Sequence, residues 1–173
     1  MEYCPRGNLL EALLEKKRFT EDETRSITRQ LLEAIKYCNS KNIVHKDIKL
    51  ENILLTTSSS GSLIIKLIDF GCSEYYKSSE NMTEFSGSAF YIAPEVLIGS
   101  YNEQCDIWSI GVIAFTLVTG AFPFDDTTDE KIFDKIMKTK LKYRKSIKKV
   151  LSRQCRKFIK KLLKKNYKIR SNV

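Results

Sequence analysis

Two short clusters carry the side chains best suited to chemistry. The first, Ile43-Val44-His45-Lys46-Asp47-Ile48-Lys49-Leu50-Glu51-Asn52, sets a carboxylate five residues ahead of an amide. The second, Ile68-Asp69-Phe70-Gly71, adds another carboxylate. Asp69 and the amide oxygen of Asn52 are hard oxygen ligands of the kind Mg²⁺ takes. Asp47 can accept a proton from an incoming hydroxyl, and Lys49 places positive charge beside it. A proton acceptor, oxygen ligands for magnesium and a cation are the needs of phosphoryl transfer, whose catalysis is mainly positioning and charge neutralisation.

These clusters can meet only if the chain between them folds back. Short apolar runs at 53–55 and 63–68 flank a polar segment, 56–62, that contains Gly61. That is the pattern of a small β-hairpin, and it would bring Asp69 near Asn52. Upstream, Leu9, Leu10, Leu13 and Leu14 mark an amphipathic helix ending at Lys16-Lys17-Arg18, where cations suit a helix C-terminus. Thr20 and Glu23 form a capping-box pattern ahead of a longer helix. Its apolar face is Ile27, Leu31, Ala34, Ile35 and Cys38, and it should stop near Lys41-Asn42. Residues 69–92 have no sustained period and read as a long functional loop. Helices are expected over 104–119, 128–139 and 152–165.

Composition narrows the classes further. The chain has 173 residues, 42% hydrophobic and 29% charged. That suits one domain with a real core and excludes a disordered tail, a collagen-like repeat or a disulfide-dense miniprotein. The net charge of +9 is unevenly placed. Residues 1–130 hold 12 basic and 20 acidic side chains, a balance of −8. Residues 131–173 hold 18 basic side chains and one acidic (Asp134), a balance of +17. Such a stripe attracts phosphate, nucleic acid, acidic lipid or acidic peptide. The plainer reading is a solvated helix face, since Cys155, Phe158, Ile159, Leu162 and Leu163 fall at helical spacing among the lysines. No aromatic platform interleaves with them, so nucleic acid is not the expected partner.

Cys4, Cys38, Cys72, Cys105 and Cys155 are isolated, and His45 is the single histidine, so a zinc site lacks ligands. An odd count with no signal peptide at the start points to reduced thiols and an intracellular, cytoplasmic setting. Residues 107–124 are uncharged and nearly long enough to span a bilayer. Gly111, Gly120 and Pro123 within them, with Asp106 and Asp125 at the flanks, favour a buried helix and no membrane span.

Together the clusters resemble the C-terminal lobe of a eukaryotic protein kinase. His45-Lys46-Asp47 with Asn52 is similar to the catalytic loop, and Asp69-Phe70-Gly71 to the magnesium-binding motif. Ala93-Pro94-Glu95 resembles the end of the activation segment, Met1-Glu2-Tyr3-Cys4 the hinge between lobes, and Asp106-Ile107-Trp108-Ser109-Ile110-Gly111 the helix beneath the catalytic loop. The resemblance implies a mainly α-helical C-lobe with one small hairpin and without the N-lobe. Its implied parts are a hinge at 1–8, helices at 9–42, catalytic loop and hairpin at 43–68, activation segment at 69–95 and a helical remainder at 96–173. Lys49, two residues after Asp47, and the run 87–95 are similar to serine/threonine kinases. The calcium/calmodulin-dependent and calcium-dependent group is the nearest in pattern.

Carried over position by position, the resemblance implies Asp47 as base, Lys49 on the transferring phosphate and Ser88 bracing the base. ATP and Mg²⁺ are the implied cofactors, with Asn52 and Asp69 holding the metal. Glu2 and Cys4 would meet the adenine edge and Leu54 would pack beneath the ring, with Asn8 and Glu51 completing the nucleotide set. Asn8 stands where a glutamate often meets the ribose. Asp106 would anchor the catalytic loop, and Glu95 would pair with Arg170. Lys46 stands where an arginine commonly clamps a phosphorylated loop, and lysine has no bidentate fork. The implied partners are a protein substrate presenting serine or threonine and a regulatory or N-lobe-supplying protein. No Gly-x-Gly-x-x-Gly occurs in the 173 residues. The alternative to a kinase lobe is therefore a truncated pseudokinase that binds proteins without catalysis.

Overall fold

The structure, a computed structural model, describes residues 4–77 and 80–171. It is built on one apolar helix. In α4 (Gln104–Thr119) every residue from Gln104 to Val118 is buried, which a helix apolar on all sides requires. Helices α2 (Glu21–Ser40) and α7 (Arg153–Leu162) pack against it. Gly111 permits the second approach: a Cβ there would lie 2.8 Å from Leu162 Cβ. The uncharged run at 107–124 is thus a core helix and its exit, and no described helix is long and apolar enough to cross a membrane.

Local signals account for the N-terminal helices. Helix α1 (Leu9–Lys16) opens on a reciprocal box, in which Asn8 accepts from the Glu11 amide and Glu11 accepts from the Asn8 amide. The Thr20–Glu23 box opens α2 in the same way, as its spacing predicts. Strand β1 (Ile43–Val44) follows, then a 3₁₀ turn at Leu50–Asn52, and β2 (Ile53–Thr57) pairs antiparallel with β3 (Leu63–Leu67). The expected hairpin is present. Its register sets Ile53 opposite Leu67, and the Ile68 amide donates to the Asn52 carbonyl at 2.9 Å.

The described residues of the long segment 69–92 are more ordered than their polar sequence predicts. They include β4 (Glu74–Tyr75), which pairs antiparallel with β1, and Met82 bridges to Tyr101. Neither tie has a local sequence signal, because both partners are distant in the chain. Helix α3 (Pro94–Ile98) starts with Pro94 in its first turn and ends on left-handed Gly99. It and α6 (Lys145–Val150), which follows α5 (Asp129–Lys138), are too short for helical periodicity to register. Helix α7 stops at Leu162, three residues before the expected end, and Leu163 forms its C-cap.

Candidate active site

The backbone of the loop at 45–47 is held from below by a carboxylate. Asp106, fully buried in the first turn of α4, accepts from the His45 amide at 2.8 Å and from the Lys46 amide at 2.9 Å. Burial pushes its carboxyl above the usual range, and those two amide hydrogen bonds oppose the rise. His45, also fully buried, ties the loop to the second cluster. Its Nδ1 accepts from the Asp47 amide at 3.3 Å, so Nε2 carries the proton and donates to the Ile68 carbonyl at 3.1 Å. The Phe70 ring lies against His45 with centroids 4.7 Å apart. One imidazole therefore spans Asp47 and the residue before Asp69.

Asp47 is 8% exposed, and three side chains donate to its carboxylate. Lys49 Nζ reaches Oδ2 at 2.6 Å, Asn52 Nδ2 reaches the same oxygen at 3.3 Å, and Ser88 Oγ reaches Oδ1 at 3.0 Å. Lys49 Nζ also contacts Ser88 Oγ at 3.4 Å. The hydrogen bond from Lys49 to Asp47 raises the lysine pKa, burial opposes it, and the charges of Asp47, Glu51 and Asp69 add to the rise. Ser88 reaches this cluster because Gly87 precedes it. Gly87 has φ +111°, and a Cβ there would stand 2.9 Å from the Lys46 carbonyl, so the segment around Gly87 touches the loop at 45–47 backbone to backbone.

Asn52 is buried, and its Nδ2 also donates to the Asp47 carbonyl at 3.0 Å. With the amide nitrogen so fixed, Oδ1 is left as a free-standing acceptor. Asp69 has φ +63° and is exposed, with Oδ1 accepting from the Gly71 amide at 3.2 Å. The hairpin register places it just past the residue bonded to Asn52. These two oxygens suit a hard cation. Among the described residues no cluster of three His, Cys, Asp or Glu side chains exists. A magnesium ion here would accordingly take few protein ligands and complete its shell with phosphate oxygens and water, as Mg²⁺ commonly does.

The remaining sequence-derived residues divide. Leu54 lies in β2 opposite Lys66 and bridges to Asn8, while the Leu55 amide donates to the Gly7 carbonyl at 2.9 Å. Cys4 is half-buried at the start of the same strap. Asn8, expected on the ribose, spends its side-chain oxygen on the α1 cap, 3.0 Å from the Glu11 amide. Glu51 is exposed, and the phenol of nearby Tyr91 is pushed up chiefly by burial and then by the charge of that carboxylate. Glu2 lies outside the described residues.

Glu74 is absent from the sequence reading. Lys46, at φ +67°, buries its side chain to 6% exposure and meets Glu74 Oε2 at 2.7 Å. The pair bolts the loop at 45–47 to β4, in which Glu74 stands opposite Val44. At a sequence separation of 28, only the β1–β4 pairing could have signalled it. Glu95 and Arg170 meet as the resemblance implies: Nη1 and Nη2 engage both carboxylate oxygens, Nη2 at 2.8 Å. Arg170 also donates to the carbonyls of Gln104 at 2.7 Å and Lys164 at 2.9 Å, and its guanidinium lies 5.2 Å from the Trp108 ring centre.

A helical body with two-stranded ribbons carrying a braced aspartate is the architecture of a protein kinase C-terminal lobe. A family model for the protein kinase domain matches residues 1–173, and the chain belongs to that family. Calcium-dependent protein kinase 4 of Plasmodium falciparum (isolate 3D7) is 41% identical over 157 residues, 91% of this chain and 30% of that protein. CDPK-related kinase 1 of Arabidopsis thaliana is 39% identical over 171 residues, 98% of this chain and 30% of that protein. Calcium/calmodulin-dependent serine/threonine-protein kinase 1 of Oryza sativa subsp. japonica is 36% identical over 98% of this chain and 28% of its own length. The chain thus spans under a third of the length of the curated relatives it matches.

Proposed function

We propose that this segment is the magnesium- and substrate-binding lobe of a serine/threonine protein kinase of the calcium-dependent group, acting in the cytoplasm. The supporting observation is the Asp47 carboxylate, buried to 8% exposure and held by Lys49, Asn52 and Ser88. Donors on both oxygens fix its orientation toward one face, which general-base work requires. Asp47 takes the proton of a substrate serine or threonine as that oxygen attacks the γ-phosphorus of ATP and ADP leaves. Lys49, held between Asp47 and Ser88, places its charge where negative charge builds up on the transferring oxygens. Asn52 and Asp69 would hold Mg²⁺, which when bound neutralises the phosphates. Leu54 would pack beneath the adenine and the Cys4 backbone would meet its edge, while Asn8 stiffens the strap between them through the α1 cap.

The test is phosphate transfer from MgATP to a serine peptide by the full-length polypeptide carrying this segment. Asp47→Asn is expected to lower kcat by about 10²- to 10⁴-fold, the usual worth of a positioned base, while nucleotide binding persists. Unchanged turnover would remove the assignment. Absence of any thermal shift with millimolar MgATP in the wild type would favour the protein-binding pseudokinase instead.

A further inference from the structure

Residues 139–168 contain 14 lysines and arginines and no carboxylate. None of those 14 makes an ion pair with a described residue, whereas Lys135, Lys138 and Arg170 beside them do. The cations share a surface. Arg153, Lys157, Lys160 and Lys161 follow one another along α7 on the side opposite buried Ile159 and Leu162, and all four are exposed. Lys145, Lys148 and Lys149 of α6 are exposed as well, and Arg156 ties the two helices together by donating to the Lys148 carbonyl. Lys157 stands four residues from both Arg153 and Lys161, and like charges at that spacing destabilise a helix. Such a surface costs the fold something and returns nothing within the chain.

Three features choose the anion. First, the guanidinium of Arg156 serves a backbone carbonyl and the rest of the surface is mostly lysine, a point charge without a bidentate fork. Diffuse attraction fits it better than base or phosphopeptide readout. Second, aromatic side chains are few: Tyr143 turns its ring onto Phe115 with centroids 5.1 Å apart, which leaves Phe158, 42% exposed, as a lone exposed ring among the described residues of this stretch, whereas single-stranded nucleic acid stacks on successive platforms. Third, apolar side chains stand out among the lysines: Val150 and Ile169 are each 64% exposed. A phosphate-lined duplex has no use for them, but the interfacial zone of a bilayer accepts them.

We propose that the lysine-rich α6–α7 surface docks the lobe onto an anionic lipid bilayer, with Val150 and Ile169 entering the headgroup region. This does not rest on the kinase reading, because it uses no residue of the Asp47 cluster. Each Lys or Arg near an anionic membrane adds about fivefold to binding, and the attraction fades with salt.

The experiment is vesicle co-sedimentation of the 173-residue chain at 0.1 M salt. Vesicles of phosphatidylcholine with phosphatidylserine are compared with phosphatidylcholine alone. The chain is expected on the first and not the second. K157Q/K160Q/K161Q is expected to weaken partitioning by about 100-fold, three times the logarithmic worth of one cation. K36Q/K41Q/K77Q, which removes equal charge from exposed sites elsewhere, is expected to change it by less than about threefold, the weak effect expected of charges lying beyond a Debye length from the bilayer. Equal losses in the two triple variants would overturn the docking surface in favour of net charge. Equal binding to both vesicle types, or a tenfold preference for duplex RNA over anionic vesicles, would overturn it too.

Discussion

The Asp47 cluster and the α6–α7 surface are both rich in charge, and they treat it in opposite ways. Around Asp47 the buried and half-buried charges have named partners: Lys49 with Asp47, Lys46 with Glu74, Asp106 with two amides. On α6 and α7 the lysine side chains face solvent with no ion-pair partner among the described residues. Burial makes the difference. A desolvated charge must be paired or it destabilises the fold by several kcal/mol, while an exposed one is solvated by water and screened by salt. Partnered charge therefore marks positioning, and unpartnered charge marks a surface left for something outside the chain.

That contrast can be broken by substitution, and the largest effects belong to the partnered side. Arg170→Ala should destabilise by about 3–5 kcal/mol, because it strands the buried Glu95 carboxylate; urea unfolding would read this as a lower midpoint at constant slope. Glu74→Ala should cost about 1–3 kcal/mol, less because Glu74 is itself 41% exposed. It should also speed hydrogen exchange at Tyr76, whose amide is bonded to the Asn42 carbonyl at the end of the β1–β4 ribbon. Retention of wild-type exchange would mean that the Lys46–Glu74 pair is incidental.

Smaller effects sharpen the comparison. Lys49 has its pKa raised from 10.5 by Asp47. A lysine so shifted contributes stability that is fully present below 10.5 and is lost as pH rises through the raised value. An alkaline titration of unfolding should therefore show a loss in wild type that is missing in Lys49→Met. At the bottom of the scale, Lys160→Gln should move stability by no more than about 0.5 kcal/mol. A destabilisation of 2 kcal/mol there would show that the α7 cations have partners after all.

Much of the scaffold could be read from local pattern. The Thr20–Glu23 box, the leucines of α1, the hairpin around Gly61 and the apolar α4 each depend on residues near one another in the chain. The triad Asp47, Lys49 and Asn52 was visible for the same reason. Asn8 caps α1, and Glu11 three residues on carries that signal in the sequence. Ser88 entered by resemblance alone, since nothing local says that residue 88 returns to residue 47.

By itself the sequence determined the helices, the hairpin, the family and the uneven charge, because periodicity, caps and short motifs are written in residues within a turn or two of each other. Only the tertiary structure decided which charges are buried and with whom. It set Glu74 against Lys46, closed Gly87 onto the Lys46 carbonyl, and left the lysines of α6 and α7 facing outward. The cost of desolvating a charge depends on everything packed around it, and that is a property of the folded whole.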